Sequence, residues 1–119
     1  MHGLMMDEPL TVSGVLRHAA TAYGAREAVE AGPDGAIRRR SYAELATRAA
    51  GLAEALAARG VGRGDRVATL AWNDLRHLEA YYAISGMGAV CLTLNPRYAP
   101  EQLAYILGHA EPAALILDP

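Results

Sequence analysis

Hydrophobic and polar residues change their spacing along the chain, and these changes predict an α/β protein. From Thr11 onward, apolar residues recur every three or four positions, which predicts a helix with Thr11 or Ser13 as its N-cap and Gly24 as its stop. Two short runs, 27–31 and 36–41, follow on either side of a Gly-Pro-Asp-Gly sequence. Because these four residue types favour turn dihedrals, the two runs are predicted to form a β-hairpin.

A capping box opens the second predicted helix. Ser41 and Glu44 have the spacing at which a hydroxyl and a carboxylate satisfy each other's free backbone amides. The apolar positions that follow form one stripe at helical spacing: Leu45, Ala49, Leu52 and Leu56. We expect this stripe to face the core, with Glu44 and Arg48 on the solvent side. Gly60 is predicted to end the helix as a left-handed cap.

In the second half of the chain, short apolar runs alternate with helical segments. The runs 66–71, 89–94 and 114–117 are predicted strands, and 74–87 and 100–110 are predicted helices. Each run is almost continuously apolar, which is typical of strands covered on both faces. Each connection is long enough for a helix that crosses over a parallel pair. The sequence therefore predicts a β-α-β-α-β parallel unit after the hairpin and its helices.

Composition supports a folded domain and excludes reactions that depend on a lysine. Hydrophobic residues make up 52% of the 119 positions and charged residues 20%, which is outside the range of disordered chains. All eleven cationic side chains are arginines and none is a lysine. A lysine Schiff base, a phosphate-loop lysine or an adenylation lysine therefore cannot operate within these residues.

Charge and cysteine content narrow the expected partners and setting. The net charge of −2 favours no nucleic-acid partner, and the one basic run, 38–40, alternates between the faces of its strand, so a solvated strand is favoured over a grip on an acidic partner. Cys91 is the only cysteine, which excludes an internal disulfide and suits a cytoplasmic location. No apolar run approaches the roughly 20 residues of a bilayer span, so no transmembrane segment is expected.

Two loops carry the candidate binding residues. Trp72 and Asn73 follow one predicted strand, and Asn95 and Arg97 follow the next. Parallel strands end at the same edge of a sheet, and open α/β sheets bind ligands at that edge. Two of these residues also have a structural alternative: Asn73 as a helix N-cap and Arg97 in an ion pair.

Other motifs are less promising. The glycine-rich segment 60–65 lies after a helix and before a strand, which is the wrong order for a phosphate loop, so a helix cap and turn are favoured. The four histidines are dispersed, without the i, i+4 spacing of helical metal ligands. No metal site is predicted.

Several segments, in this order and spacing, resemble one family. They are GDRVATL at 64–70, RHLEAY at 76–81, GMGAV at 86–90, LNPR at 94–97 and PEQLAYIL at 100–107. Together with the helix start at Ser41, they resemble the N-terminal region of AMP-forming acyl-CoA synthetases, among these the bacterial medium- and long-chain fatty-acid CoA ligases most closely. The resemblance covers roughly 11–119.

The resemblance implies a parent enzyme that uses ATP and magnesium to convert a fatty acid to an acyl-adenylate and then transfers the acyl group to coenzyme A. The family's phosphate loop, adenylate site, ribose aspartate and catalytic lysine would lie beyond Pro119. No catalytic, cofactor-binding or metal residue is therefore assigned here, and the chain alone is expected to bind no cofactor and to be inactive. Its fold would be an incomplete piece of the large N-terminal domain, with a flexible tail at 1–10 and a partial subdomain at 11–119.

The resemblance also implies partners and leaves alternatives open. The partner that it implies is the remainder of the ligase. A second copy is expected for a separate reason, because a three-stranded sheet of apolar strands needs further cover, and exchange of the N-terminal segment 1–23 is one route to it. One alternative is another adenylate-forming relative that activates aryl or amino acids. The other is a stand-alone, non-catalytic interaction module on the same scaffold.

Overall fold

The chain folds as an antiparallel hairpin and a parallel sheet joined and covered by helices. The structure is a computed structural model that describes residue 3 and residues 6–118. Its elements are α1 (Val12–Ala22), β1 (Glu27–Ala31), β2 (Ile37–Ser41), α2 (Tyr42–Ala57), β3 (Arg66–Leu70), α3 (Leu75–Gly86), β4 (Val90–Leu94), α4 (Pro100–Ala110) and β5 (Ala114–Leu117). No helix among the described residues is both long and apolar enough to cross a membrane.

The predicted parallel unit is confirmed. β3 lies in the middle of a three-stranded sheet in the order β4-β3-β5, and it pairs in parallel with both neighbours. Leu70 at the end of β3 is level with Leu94 and Leu117 at the ends of β4 and β5. The loops that follow β3 and β4 therefore leave from one edge of the sheet.

The expectation that all three strands are covered on both faces is wrong for two of them. The central residues of β3 are fully buried, whereas Val90 in β4 and Leu117 in β5 are 51% and 59% exposed. Both outer strands are sheet edges within the described residues, so each has only one neighbouring strand. Their apolar runs do not translate into burial because burial depends on what packs beside a strand as well as on its composition.

Helix α2 has the predicted start, stripe and end. The Ser41 hydroxyl accepts from the Glu44 amide at 3.2 Å, and the Glu44 carboxylate accepts from the Ser41 amide at 3.0 Å. Three positions of the stripe are buried, and Leu52 is half-buried between two core clusters. Gly60, at φ +88°, reverses the chain three residues after the helix, so that the Val61 amide donates to the Leu56 carbonyl.

The core has two parts that share α2 and α3. One lies between these helices and the sheet and includes Leu56, Val67 and Ile84; the other joins α1 to the helices through Leu16 and Leu45. Leu16 is the one buried residue of α1. The predicted N-cap Thr11 accepts from the Gly14 amide at 3.1 Å, so Ser13 does not serve as the cap.

Residues at the start of the chain lie outside the core. Residues 1, 2, 4 and 5 of the expected tail are outside the described residues, and 6–10 are exposed and lie in no helix or strand. The flexibility of this segment stays a prediction.

The arginine run of β2 is neutralised within the protein. Arg38 pairs with Glu30 and Asp34, and Arg39 pairs with Glu27. The third, Arg40, pairs with the buried carboxylate of Glu79 on α3. The expectation that Arg48 is a solvent-facing neighbour of Glu44 is incomplete, because its Nε donates to the same Glu79 oxygen at 2.7 Å.

Removing the α2 cap should lower stability measurably. We expect Ser41→Ala to cost about 0.5–2 kcal/mol, because one backbone amide of the first turn loses its acceptor. Ser13→Ala is the matched control, since the Ser13 hydroxyl bonds the Thr11 hydroxyl and caps no backbone amide. Urea denaturation followed by circular dichroism gives both values, and equal losses for the two variants would contradict the capping role.

The cap also gives stability a pH dependence. Hydrogen bonds from the Ser41 amide and then the Ser41 hydroxyl lower the pKa of Glu44 below its usual value. A carboxyl group whose pKa is lowered on folding stabilises the protein above its unfolded pKa, and the gain is lost as pH falls through the folded pKa. The stability difference between the wild type and Glu44→Gln should therefore shrink in acid.

Candidate functional site

The four candidate residues lie together at the carboxyl edge of the parallel sheet. Trp72 and Asn73 follow β3, Asn95 and Arg97 follow β4, and all four line one open cleft with a volume of about 1560 Å³. The hairpin turn at 32–34 forms part of the opposite wall. The fold thus brings the predicted loops to a common concave surface, and a ligand-binding role for them stays a prediction.

Trp72 and Arg97 meet across the cleft floor. The Arg97 guanidinium carbon lies 5.8 Å from the centroid of the Trp72 ring, which is within the range of a cation–π contact. Asn95 accepts from the Arg97 amide at 2.9 Å and so folds the loop that carries the guanidinium. Within the described part of the chain, Arg97 forms no ion pair, so the structural alternative predicted for it is wrong.

The structural alternative for Asn73 is also wrong. The N-cap of α3 is Asp74, whose carboxylate accepts from the His77 amide at 2.7 Å. Asn73 is left exposed on the cleft wall. Asp74 wins because a carboxylate is both an acceptor for the free amides and a favourable charge at the positive end of a helix.

Ion pairs hold the cleft walls. On the hairpin side, Arg38 bridges Glu30 at 3.1 Å and Asp34 at 2.6 Å, and the second Glu30 oxygen accepts from the Leu75 amide at the start of α3. A hydrogen bond from the Ala36 amide, with Arg38 beside it, lowers the pKa of Asp34. These contacts attach the hairpin to the helix that follows β3.

A second arginine, Arg76, forms ion pairs with one carboxylate after β3 and one after β5. Arg76 on α3 contacts Asp74 at 3.0 Å and Asp118, just after β5, at 2.6 Å. Hydrogen bonding to Asp74 and the charge of Asp118 raise the pKa of Arg76, which therefore stays cationic. Among the three arginines that line the cleft, Arg97 is thus the one whose charge is not paired within the described residues.

Two polar residues in or near the site were missed by sequence reasoning. His77 bonds the fully buried hydroxyl of Thr69 on β3 at 2.9 Å, and its other ring nitrogen lies 3.1 Å from the Trp72 carbonyl. Glu79, two residues later, is the buried carboxylate that Arg40 and Arg48 share. The i+2 spacing sends the two side chains to different sides of α3, so neither forms a cluster visible in the sequence.

Comparison with known proteins identifies the family. The family described as AMP-binding enzyme matches residues 16–119. The chain belongs to the AMP-binding enzyme family. The resemblance drawn from the segment order is confirmed.

Relatives of this AMP-binding enzyme chain include acyl-CoA ligases. It is 51% identical over 115 residues to a long-chain-fatty-acid–CoA ligase of Thermus thermophilus, an alignment that covers 97% of this chain and 21% of the relative. It is 47% identical over 118 residues to a 3-methylmercaptopropionyl-CoA ligase of Ruegeria lacuscaerulensis, covering 99% and 22%. The chain therefore spans about a fifth of the length of the curated relatives it matches.

A solved structure shares the fold. The fatty acyl CoA synthetase of Mycobacterium tuberculosis matches 90% of this chain and 21% of its own, with a TM-score of 0.81 and 29% sequence identity. The predicted fold class, an incomplete piece of an adenylate-forming enzyme domain, is confirmed.

The residues described here do not fit a magnesium site. No group of three or more histidine, cysteine, aspartate or glutamate side chains among them is placed to hold a metal ion. The four carboxylates of the cleft are already bonded to arginines, and the 119 residues include no lysine to contact a phosphate. This part of the AMP-binding enzyme therefore supports no step that passes through a metal ion.

Cys91 takes no part in the site. It lies on β4 and packs, partly buried, against the cluster between the sheet and the helices. Burial raises the pKa of its thiol above the usual value, which keeps it protonated and slow to react.

Proposed function

We propose that this chain is part of a ligase that activates a fatty acid with ATP and transfers the acyl group to coenzyme A. The observation that carries the proposal is the 51% identity to a long-chain-fatty-acid–CoA ligase over 97% of the chain. At that sequence identity, the segment forms the corresponding part of a related enzyme. The sheet-edge cleft, with Trp72, Asn73, Asn95 and Arg97, is the surface that this segment would offer to a substrate.

We further propose that the 119 residues alone do not catalyse the reaction. Adenylation joins the carboxylate oxygen to the α-phosphorus of ATP and expels pyrophosphate, so it needs cationic groups fixed where negative charge develops on the α-phosphate and on the departing pyrophosphate. Arg38 and Arg76 are committed to carboxylates, which leaves Arg97 as the unpaired cation of the described cleft. One cation over an open surface does not enclose a triphosphate.

A pyrophosphate assay tests both statements. The protein encoded by the full reading frame that contains these residues should release pyrophosphate when ATP and a fatty acid are supplied, and should form acyl-CoA when coenzyme A is added. The 119-residue chain should release none above background. Activity of the short chain, free of contaminating ligase, would contradict the second statement; inactivity of both would contradict the first and favour an interaction module.

The acyl substrate has a second candidate. The 47% identity to a 3-methylmercaptopropionyl-CoA ligase is nearly as high as that to the fatty-acid ligase and favours a short thioether acid as an alternative. An acid panel in the same assay should include 3-(methylthio)propionate, medium- and long-chain fatty acids, an aryl acid and an amino acid. The acid with the highest kcat/KM then decides between these classes.

We also propose that the N-terminal segment mediates self-association. Leu10 is 91% exposed, and Val15 on α1 and Tyr23 just after it are more than half exposed. A second copy that covers these apolar side chains would remove them from water. Light scattering should show a mass that rises with concentration, and Val15→Glu should abolish the rise. A monomer at every concentration would contradict the proposal.

A further inference from the structure

We propose that His77 is a positioning residue that holds the Trp72 loop in place through one imidazole tautomer. The ring connects the buried centre of the sheet to the backbone of the loop that carries Trp72. The inference rests on the proposed function only where it assigns the Trp72–Arg97 pair to substrate binding. The tether itself stands on hydrogen bonds and burial.

The hydrogen-bond partners determine where the proton of the ring resides. The Trp72 carbonyl oxygen can only accept, so Nδ1 of His77, 3.1 Å away, must carry the hydrogen. In the neutral ring, Nε2 is then an acceptor, and the Thr69 hydroxyl at 2.9 Å donates to it. Thr69 is fully buried, so this bond also satisfies a hydroxyl that has no access to water.

Both ends of the tether are rigid. Thr69 lies on β3, the central strand, and its two neighbours along the strand toward Arg66 are also fully buried. The His77 backbone is fixed at the first turn of α3, where its amide donates to the Asp74 carboxylate at 2.7 Å. The His77 backbone and the Thr69 hydroxyl are therefore both fixed, and the imidazole between them can position the Trp72 carbonyl.

Apart from His77, the Trp72 carbonyl has one hydrogen-bond partner within the described residues. The Trp72 carbonyl also accepts from the Asp74 amide at 3.0 Å, a local turn contact, whereas the indole is 56% exposed and meets Arg97 at 5.8 Å. Without the histidine bond, the remaining hydrogen bond of the Trp72 carbonyl is the turn contact, which leads to Asp74 and not to the buried centre of the sheet. Trp72 would then sample more orientations, and Arg97 would lose its aromatic partner for part of the time.

Two conservative variants separate the two bonds of His77. In His77→Asn, the amide nitrogen lies near the position of Nδ1 and can still donate to the Trp72 carbonyl. In His77→Gln, the longer amide reaches toward Thr69 and gives up the bond to the loop. If His77 served only to give the buried Thr69 hydroxyl a hydrogen-bond partner, His77→Gln would behave like the wild type and His77→Asn would not. The proposed tether requires the reverse.

Trp72 is the only tryptophan of the chain, so its fluorescence reports on the loop alone. We expect His77→Gln to lower the fluorescence anisotropy and to increase quenching by acrylamide, and His77→Asn to match the wild type. His109→Gln on α4, an exposed histidine, is the matched control and should change neither quantity. Preservation by Gln and loss in Asn would overturn the tether.

A measurement on the unaltered chain tests the tautomer directly. Long-range proton–nitrogen NMR correlations should show His77 in the Nδ1–H form. An Nε2–H ring, or a mixture of both tautomers, would overturn the proposal even if a variant fails to fold.

In the full-length ligase, His77→Gln should raise KM for the substrate that meets this edge and leave kcat largely unchanged. If the tautomer and fluorescence are as expected but KM does not change, the tether stands, and the assignment of this edge to substrate binding is overturned.

Discussion

Leu45→Ala is expected to destabilise the protein by about 2–5 kcal/mol, the range for leucine truncation in a rigid core. Leu45 is 1% exposed and is among the largest fully buried side chains of the described residues. Two of its buried neighbours in the cluster between α1, α2 and α3 are alanines, Ala49 and Ala83. These alanines cannot extend into the space that the leucine leaves, whereas Leu16, Leu52 and Leu78 of the same cluster can close part of it, so the cost should lie within this range.

The matched control for this substitution is Leu10→Ala, with both variants measured at a protein concentration at which light scattering shows a monomer. Leu10 is 91% exposed, so the same truncation there should change stability by less than about 0.5 kcal/mol. Urea denaturation of both variants, with a constant denaturant slope, gives the comparison. A cost below about 0.5 kcal/mol for Leu45→Ala would mean that the stripe of α2 does not face the core.

Glu79→Gln is expected to cost about 1.5–3 kcal/mol, the range for hydrogen bonds to charged groups. The Glu79 side chain is 7% exposed, and one of its oxygens accepts from Arg40 on β2 and from Arg48 on α2. Neutralising it removes the charge that joins three elements. The cost should stay below that of a fully buried pair, because the Arg40 and Arg48 side chains are 26% and 53% exposed and remain hydrated.

Glu27→Gln is the control from the same arginine run. Its carboxylate pairs with Arg39 at 3.1 Å, but both side chains are about half exposed, so the loss should be small and should vanish in high salt. Thermal and urea unfolding at low and high ionic strength measure both variants. Equal losses for Glu27→Gln and Glu79→Gln would show that burial does not set the strength of these pairs.

Features set by neighbouring residues could be predicted from the sequence. The capping box of Ser41 and Glu44, the left-handed Gly60 and the hairpin turn at 32–35 each depend on residues within a few positions. Periodicity also placed the strands to within one residue at either end. The lengths of the connections then predicted that the strands are parallel, and with this the common edge at which Trp72 and Arg97 lie.

Features that depend on contacts between distant residues could not be predicted from the sequence. Arg40 and Arg48 precede Glu79 by 39 and 31 positions, so no local spacing indicates that they share a carboxylate. Similarly, the almost continuously apolar β4 and β5 have the composition of buried strands, yet at their position at the sheet edges Val90 and Leu117 are half exposed.

The sequence by itself determined the element order, the capping box of α2, the parallel sheet and the loops of the candidate site. Only the tertiary structure decided that Asp74, not Asn73, caps α3, that Arg97 faces Trp72 and forms no ion pair within the described residues, and that His77 connects Thr69 to the Trp72 loop. The reason is physical: backbone geometry and periodicity act over a few residues, whereas burial and side-chain hydrogen bonds depend on which distant residues the completed fold brings within about 3 Å of one another.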